Sequence, residues 1–237
     1  MLSPLLTLLL VISGQVQDLR PIYDARRSPE PAKFPTAEIA SLKRNVQPAA
    51  KRFWDKRADQ CDEELEVIDA AQGSFTKPKS NQKAILYRYC TTGHNFALNG
   101  IAVIEDGQLA AHYVYDGAWD NAIGALSDID GNGLSEILIA TGGTNQGITW
   151  GVISIIELSE KGARKFGATD TYSDNCVAQE KGKASAYKLY VKTGSAPAFQ
   201  RETFISSACG VKGSWLKSGA QKQIAMREDE IEYHRLK

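Results

Sequence analysis

The punctuation of this chain limits its fold more than any other feature. From Leu65 onward, short runs of apolar, β-branched and aromatic residues are separated by Gly, Asn and Asp, and no long stretch repeats apolar residues at helical spacing. That texture specifies strands and tight turns. Residues 83–90 alternate Ala84, Leu86 and Arg88 against Ile85, Tyr87 and Tyr89. Residues 100–105 and 108–115 flank Asp106-Gly107, a pair suited to a two-residue hairpin turn in which both positions take positive φ. Residues 134–140 and 150–158 are strongly apolar, as strands covered on both faces are. Residues 187–192 and 199–206 are further strand candidates. The expected fold is mostly β: a small antiparallel domain over residues 61–237, preceded by a short helical segment.

The helical segment is residues 36–60. Ile39, Leu42 and Val46 fall at helical spacing, and Thr36 after Pro35 is a suitable N-cap. Pro48 is expected to break or kink the helix, with Ala50, Phe53 and Trp54 carrying the apolar stripe into a second short helix as a core anchor. Three basic pairs (Lys43-Arg44, Lys51-Arg52 and Lys56-Arg57) precede an acidic stretch containing Asp62, Glu63, Glu64, Glu66 and Asp69. Partial balance of this kind reads as a solvated face, with a membrane-surface or nucleic-acid patch on the basic helix as the alternative. Residues 18–35 contain Pro21, Pro29, Pro31 and Pro35 and little apolar content, so an extended linker is expected there.

Residues 1–17 carry no charge, and residues 5–12 are apolar apart from Thr7. This run is too short for a membrane-spanning helix but fits the core of a secretory signal, with the small residues Ser13 and Gly14 following it. The expected location is therefore secreted or periplasmic; the alternative is anchorage through an uncleaved N-terminus. Cys61, Cys90, Cys176 and Cys209 form an even set, as befits an oxidising compartment. Three connectivities are open. Pairing neighbours closes two loops of about thirty residues, each worth roughly 3 kcal/mol of chain entropy. The 28 basic and 28 acidic residues balance, which argues against nucleic-acid binding. Three His and no Cys-x-x-Cys argue against a zinc site of ordinary spacing.

One loop carries readable chemistry. Asp128-Ile129-Asp130-Gly131-Asn132-Gly133-Leu134-Ser135-Glu136 places oxygen donors at alternate positions, with glycines permitting the tight curvature. Calcium takes six to eight oxygen ligands, and a loop of this form offers the side chains of Asp128, Asp130, Asn132 and Glu136 and the Leu134 carbonyl. An EF-hand needs its closing acid at the twelfth position, which here is Ile139, and it needs flanking helices where this sequence has strand-like segments. The loop resembles instead the calcium loop of FG-GAP/VCBS repeats, the blade unit of integrin-α-type β-propellers. The resemblance covers residues 123–158: residues 123–127, the acidic loop, the apolar run 137–140, the Gly/Asn-rich turn 142–147 and a second apolar run. It implies one structural calcium ion held by Asp128, Asp130, Asn132, Leu134 and Glu136. A propeller needs at least four blades; a single such loop implies one blade-like sheet, a partial propeller, within a small β-domain.

The expected function is an exported, noncatalytic, calcium-stabilised module that binds a protein or glycan. The alternatives are a secreted hydrolase with unidentified catalytic residues and an accessory subunit of a cell-envelope assembly. Weaker candidates are His94 in a polar loop, His112 inside a strand, Trp119 as a rim residue over the β-core, and Ser135 and Ser154 without a nucleophile-elbow context. Asp116, Asp120 and Asp128 are carboxylates that nothing in the sequence brings to a defined separation.

Overall fold

A computed structural model describes residues 19–27, 32–55, 57, 61, 65–93, 96–179, 182–206, 208–210 and 213–237. The signal-like residues 1–17, His94, Lys56 and the acidic residues Asp62, Glu63 and Glu64 lie outside the described residues.

Alternation in the middle of the chain determines how the layers stack. Strands β2 (Glu66–Gly73), β3 (Gln82–Gly93), β4 (Phe96–Glu105) and β5 (Gln108–Gly117) form an antiparallel meander, with β14 (His234–Leu236) added beside β5. Both faces of this sheet are buried. Leu86, Ile101, Val103, Tyr113 and Tyr115 face the second sheet, while Ile85, Tyr87, Leu98, Ala102 and Val114 face the helix α1 (Thr36–Trp54). The two-residue period of a strand sends neighbouring side chains to opposite faces, which explains the long uninterrupted apolar stretches. The β4–β5 turn is the expected one: Asp106 and Gly107 have φ of 50° and 77°, and Glu105 pairs with Gln108.

The second sheet contains β6 (Asp120–Leu126), β7 (Glu136–Asn145), β8 (Ile148–Ser159), β9 (Gly162–Asp174), β10 (Ala184–Lys192), β11 (Ala198–Ser206) and β12 (Leu216–Lys217) in sequential order. Two short strands complete it: β1 (Leu19–Asp24) beside β10, and β13 (Lys222–Ile224) beside β11. Ile123, Ile137, Ile139, Ile156 and Leu158 pack against the first sheet. On the opposite face, Leu138, Ile153 and Ile155 join Leu189, Val191 and Phe199 in a separate apolar cluster. Among the described residues, strands make up 57%, in two antiparallel sheets with one helix and no closed barrel, so the protein is mostly β as expected.

Four local expectations are corrected. α1 runs through Pro48 without a break, because Leu42, Val46, Ala50 and Trp54 recur every fourth residue on both sides of it and all bury against the sheet. Thr36 is the first helical residue and not the cap; Pro35 stands at the cap position, with no side-chain capping bond. Leu19–Asp24, expected within a linker, forms β1 and pairs with residues of β10. The anchor pair divides: Trp54 is buried, whereas Phe53 is 38% exposed with its ring edge-on to Trp54. All four cysteines are paired, Cys61 with Cys90 and Cys176 with Cys209, with Cα separations of 5.6 and 5.7 Å. Both pairs suit an oxidising environment. Among the described residues no helix is long and apolar enough to cross a membrane.

Candidate metal centre

The acidic loop connects β6 to β7, and its alternation separates anchor from donors. Ile129 is fully buried in the cluster of Leu138 and Ile153, while its neighbours Asp128 and Asp130 stay half-buried on the other side. Gly131 and Gly133 adopt φ of +88° and +87°, values that side-chain-bearing residues rarely take. The turn is closed by Asp128, whose Oδ1 accepts from the N–H groups of Gly131 (2.7 Å) and Asn132 (3.0 Å) and whose Oδ2 accepts from Gly133 N–H (2.9 Å). Asn132 Oδ1 accepts from the N–H of Leu134 at 2.8 Å, and Leu134 is half-buried.

The rest of the fold holds this loop from several directions. Ser135 N–H donates to the Ser74 carbonyl (2.9 Å) and Ser135 Oγ accepts from Ser74 N–H (3.0 Å), tying the loop to the β2–β3 connection. Gly194, between β10 and β11, donates its N–H to the Ile129 carbonyl at 2.9 Å. Arg20 of β1 donates to the carbonyls of Ser127 and Asp128. The loop is thereby braced by segments distant in sequence.

Glu136 is the first residue of β7 and has no exposed surface. Its Oε2 accepts from Ile129 N–H at 3.0 Å, whereas its Oε1 is buried with no hydrogen-bond partner. Burial, and then the neighbouring charges of Asp130 and Glu157, raise its pKa from 4.5 to about 7. One oxygen each from Asp128, Asp130 and Glu136 lies within 4.8 Å of the other two. Ligands on opposite sides of one calcium ion sit about 4.6–5.2 Å apart, so these separations fit a single coordination sphere.

Two residues absent from the sequence reading complete the surroundings. Arg164 on β9 forms an ion pair with Asp130, and its Nε lies 4.0 Å from Glu157 Oε1. Glu157 on β8 is buried, and its Oε2 accepts from the Asn132 amide. The two are cross-strand partners in the β8–β9 ladder. A lone acid within the apolar run 150–158 was the available signal for Glu157; for Arg164 there was none.

The other candidates are dispersed. His112 is buried with Nε2 2.5 Å from the Tyr87 hydroxyl, and burial lowers its pKa to about 4. Trp119 is half-buried with the Arg88 guanidinium over its ring. Asp116 pairs with Arg57 at 2.6 Å on the surface. Asp120 is buried, accepts from the hydroxyls of Tyr115 (2.5 Å) and Thr141 and from Asn99, and has its pKa raised by burial to about 6. Asp116, Asp120 and Asp128 thus have separate surroundings. Ser154 is buried in β8, and Ser135 serves the loop clamp. A second cluster, Asp174 with Cys176 and Cys209, has both sulfurs in a disulfide, which removes the thiolates that would ligate a metal. No family model, no curated protein and no solved structure matches this chain.

Proposed function

We propose that the chain is an exported, noncatalytic β-module in which the loop 128–136 binds one calcium ion as a structural brace, leaving the surface to engage a protein or glycan partner. The observation that carries this reading is the convergence of three carboxylates, one of them the fully buried Glu136 with an unpartnered oxygen. A buried charge without a compensating partner is costly, and a divalent ion is the compensation that this donor set favours. Asp128, Asp130, Asn132 and Glu136 would supply side-chain oxygens and Leu134 its carbonyl. The resemblance to an FG-GAP/VCBS blade is supported by the loop's position in the first hairpin of the sequential antiparallel run β6–β9. Export is supported by the uncharged N-terminal segment and the two cysteine pairs. An open cleft of about 740 Å³, which includes Phe53, Trp54, Phe96, Arg57, Asp116 and His234, offers aromatic and charged groups to such a partner.

The test is thermal unfolding of chelator-treated protein with and without calcium. A ligand that binds only the folded state at a hundred times its Kd stabilises it by about 2.7 kcal/mol, a rise in Tm of several degrees for a domain of this size. Asp130→Ala should abolish most of that rise. An unchanged Tm in millimolar calcium, with no metal retained on purification, would remove the site.

A further inference from the structure

Arg164 stands where a metal ion would compete with it. Its guanidinium pairs with Asp130, one of the three converging carboxylates, and Glu136 beside it keeps a buried oxygen with no partner. The chain's own cation therefore neutralises one member of the cluster and leaves another uncompensated. Arg164 also has two other favourable neighbours. The carboxylate of Glu157 lies 4.0 Å from its Nε, and the ring of Phe166 lies with its centroid 4.4 Å from the guanidinium carbon. Glu157 in turn holds the amide of Asn132, the same residue whose oxygen the metal would require.

We infer that Arg164 is a tethered counter-cation that sets the affinity of the calcium site, and that Glu157 is its landing position when the ion arrives; this rests on the calcium reading above. Binding is a partner exchange. Arg164 moves from Asp130 to Glu157, Glu157 releases Asn132, and Asn132 turns its oxygen to the ion. Even if Arg164 kept hold of one Asp130 oxygen while calcium took the other, the two cations would repel at close range, so the sign of the effect is the same. The side chain is about half exposed, which allows the movement without opening the core. The Asp130 side chain is only 6% exposed, so the pair is not a surface one, and the folding of the neutralised variant is checked directly.

The experiment is calorimetric titration of chelator-treated full-length protein with calcium chloride at fixed ionic strength, with circular dichroism to confirm folding. Arg164→Gln should tighten calcium binding by roughly three- to tenfold, through lost competition and lost repulsion. Arg164→Lys, which keeps the charge, should stay near wild type. Glu157→Gln should weaken binding, and by less when Arg164 is already Gln. Binding seen only in Arg164→Gln would also support the inference. Wild-type binding with Arg164→Gln equal or weaker overturns it and leaves the calcium reading standing. No binding by either protein overturns both.

Discussion

Replacing Glu136 by Gln should make the metal-free protein more stable and the calcium response smaller, and both effects follow from one buried carboxylate. Glu136 is inaccessible to solvent, has one oxygen without a partner, and has its pKa raised from 4.5 to about 7 by burial and two acidic neighbours. A raised carboxyl pKa means that the folded state holds the proton more tightly than the unfolded state. The corresponding stability is complete below pH 4.5 and is lost as pH rises through about 7. The shift corresponds to about 3 kcal/mol, reduced to about 2 kcal/mol because the loop above Glu136 is solvated. Glutamine keeps the shape, removes the charge and can donate its amide to the neighbouring carboxylates. In urea unfolding with chelator present, Glu136→Gln should exceed wild type by about 2 kcal/mol at pH 8 and match it near pH 4. Calcium should reverse the ranking, since wild type gains about 2.7 kcal/mol at a hundred times Kd while the variant has lost its most buried ligand. A variant less stable than wild type at pH 8 in chelator, or one with the full calcium response, would refute the reasoning.

Two further predictions concern the rest of the fold. Asp120 and His112 oppose each other in pH dependence. Stability from Asp120 is lost as pH rises from 3.8 to about 6, and stability from neutral His112 is lost as pH falls from 6.5 to about 4. Relative to wild type, Asp120→Asn should gain about 2 kcal/mol between pH 4 and pH 7 in urea titrations, and a pH profile parallel to wild type would refute this. Replacing Cys61 and Cys90 together by Ala should lower stability by about 3 kcal/mol, since the bridge closes a loop with a sequence separation of 29. A denaturation midpoint unchanged under oxidising conditions would refute that role.

Local features of the fold were legible because they depend on neighbours in sequence. Asp106-Gly107 announces its turn through the positive φ that both positions need, and the opposed faces of residues 83–90 are visible as simple alternation. Within the β6–β9 run, β7 and β8 likewise follow from short apolar segments separated by Gly and Asn, whereas β9, with few apolar residues, does not. Features set by distant partners were not legible. Leu19–Asp24 reads as a proline-containing linker until β10 offers it an edge more than 160 residues away, at Leu19 and Lys192 for instance. Pro48 reads as a break because local sterics disfavour it, and only the buried residues on both sides of it explain the continuous helix.

The same division runs through the candidate site. Its candidate donors are legible because the loop concentrates them within nine residues, so that spacing alone brings Asp128, Asp130 and Glu136 together. The feature that raises the loop above an Asx-rich turn is not in that spacing. Glu136 acquires its unpartnered, buried oxygen only because β7 starts there, on the strand face it shares with Leu138 and away from the first sheet, where Ile129 is drawn into the core beside it. Arg164 and Glu157 reach the loop across the β8–β9 ladder, a relation of register that no motif encodes. A motif search would therefore find the candidate ligands and miss the cation that, on the proposed reading, competes with the metal. Two chains sharing the loop but differing at the position of Arg164 should accordingly differ in calcium affinity.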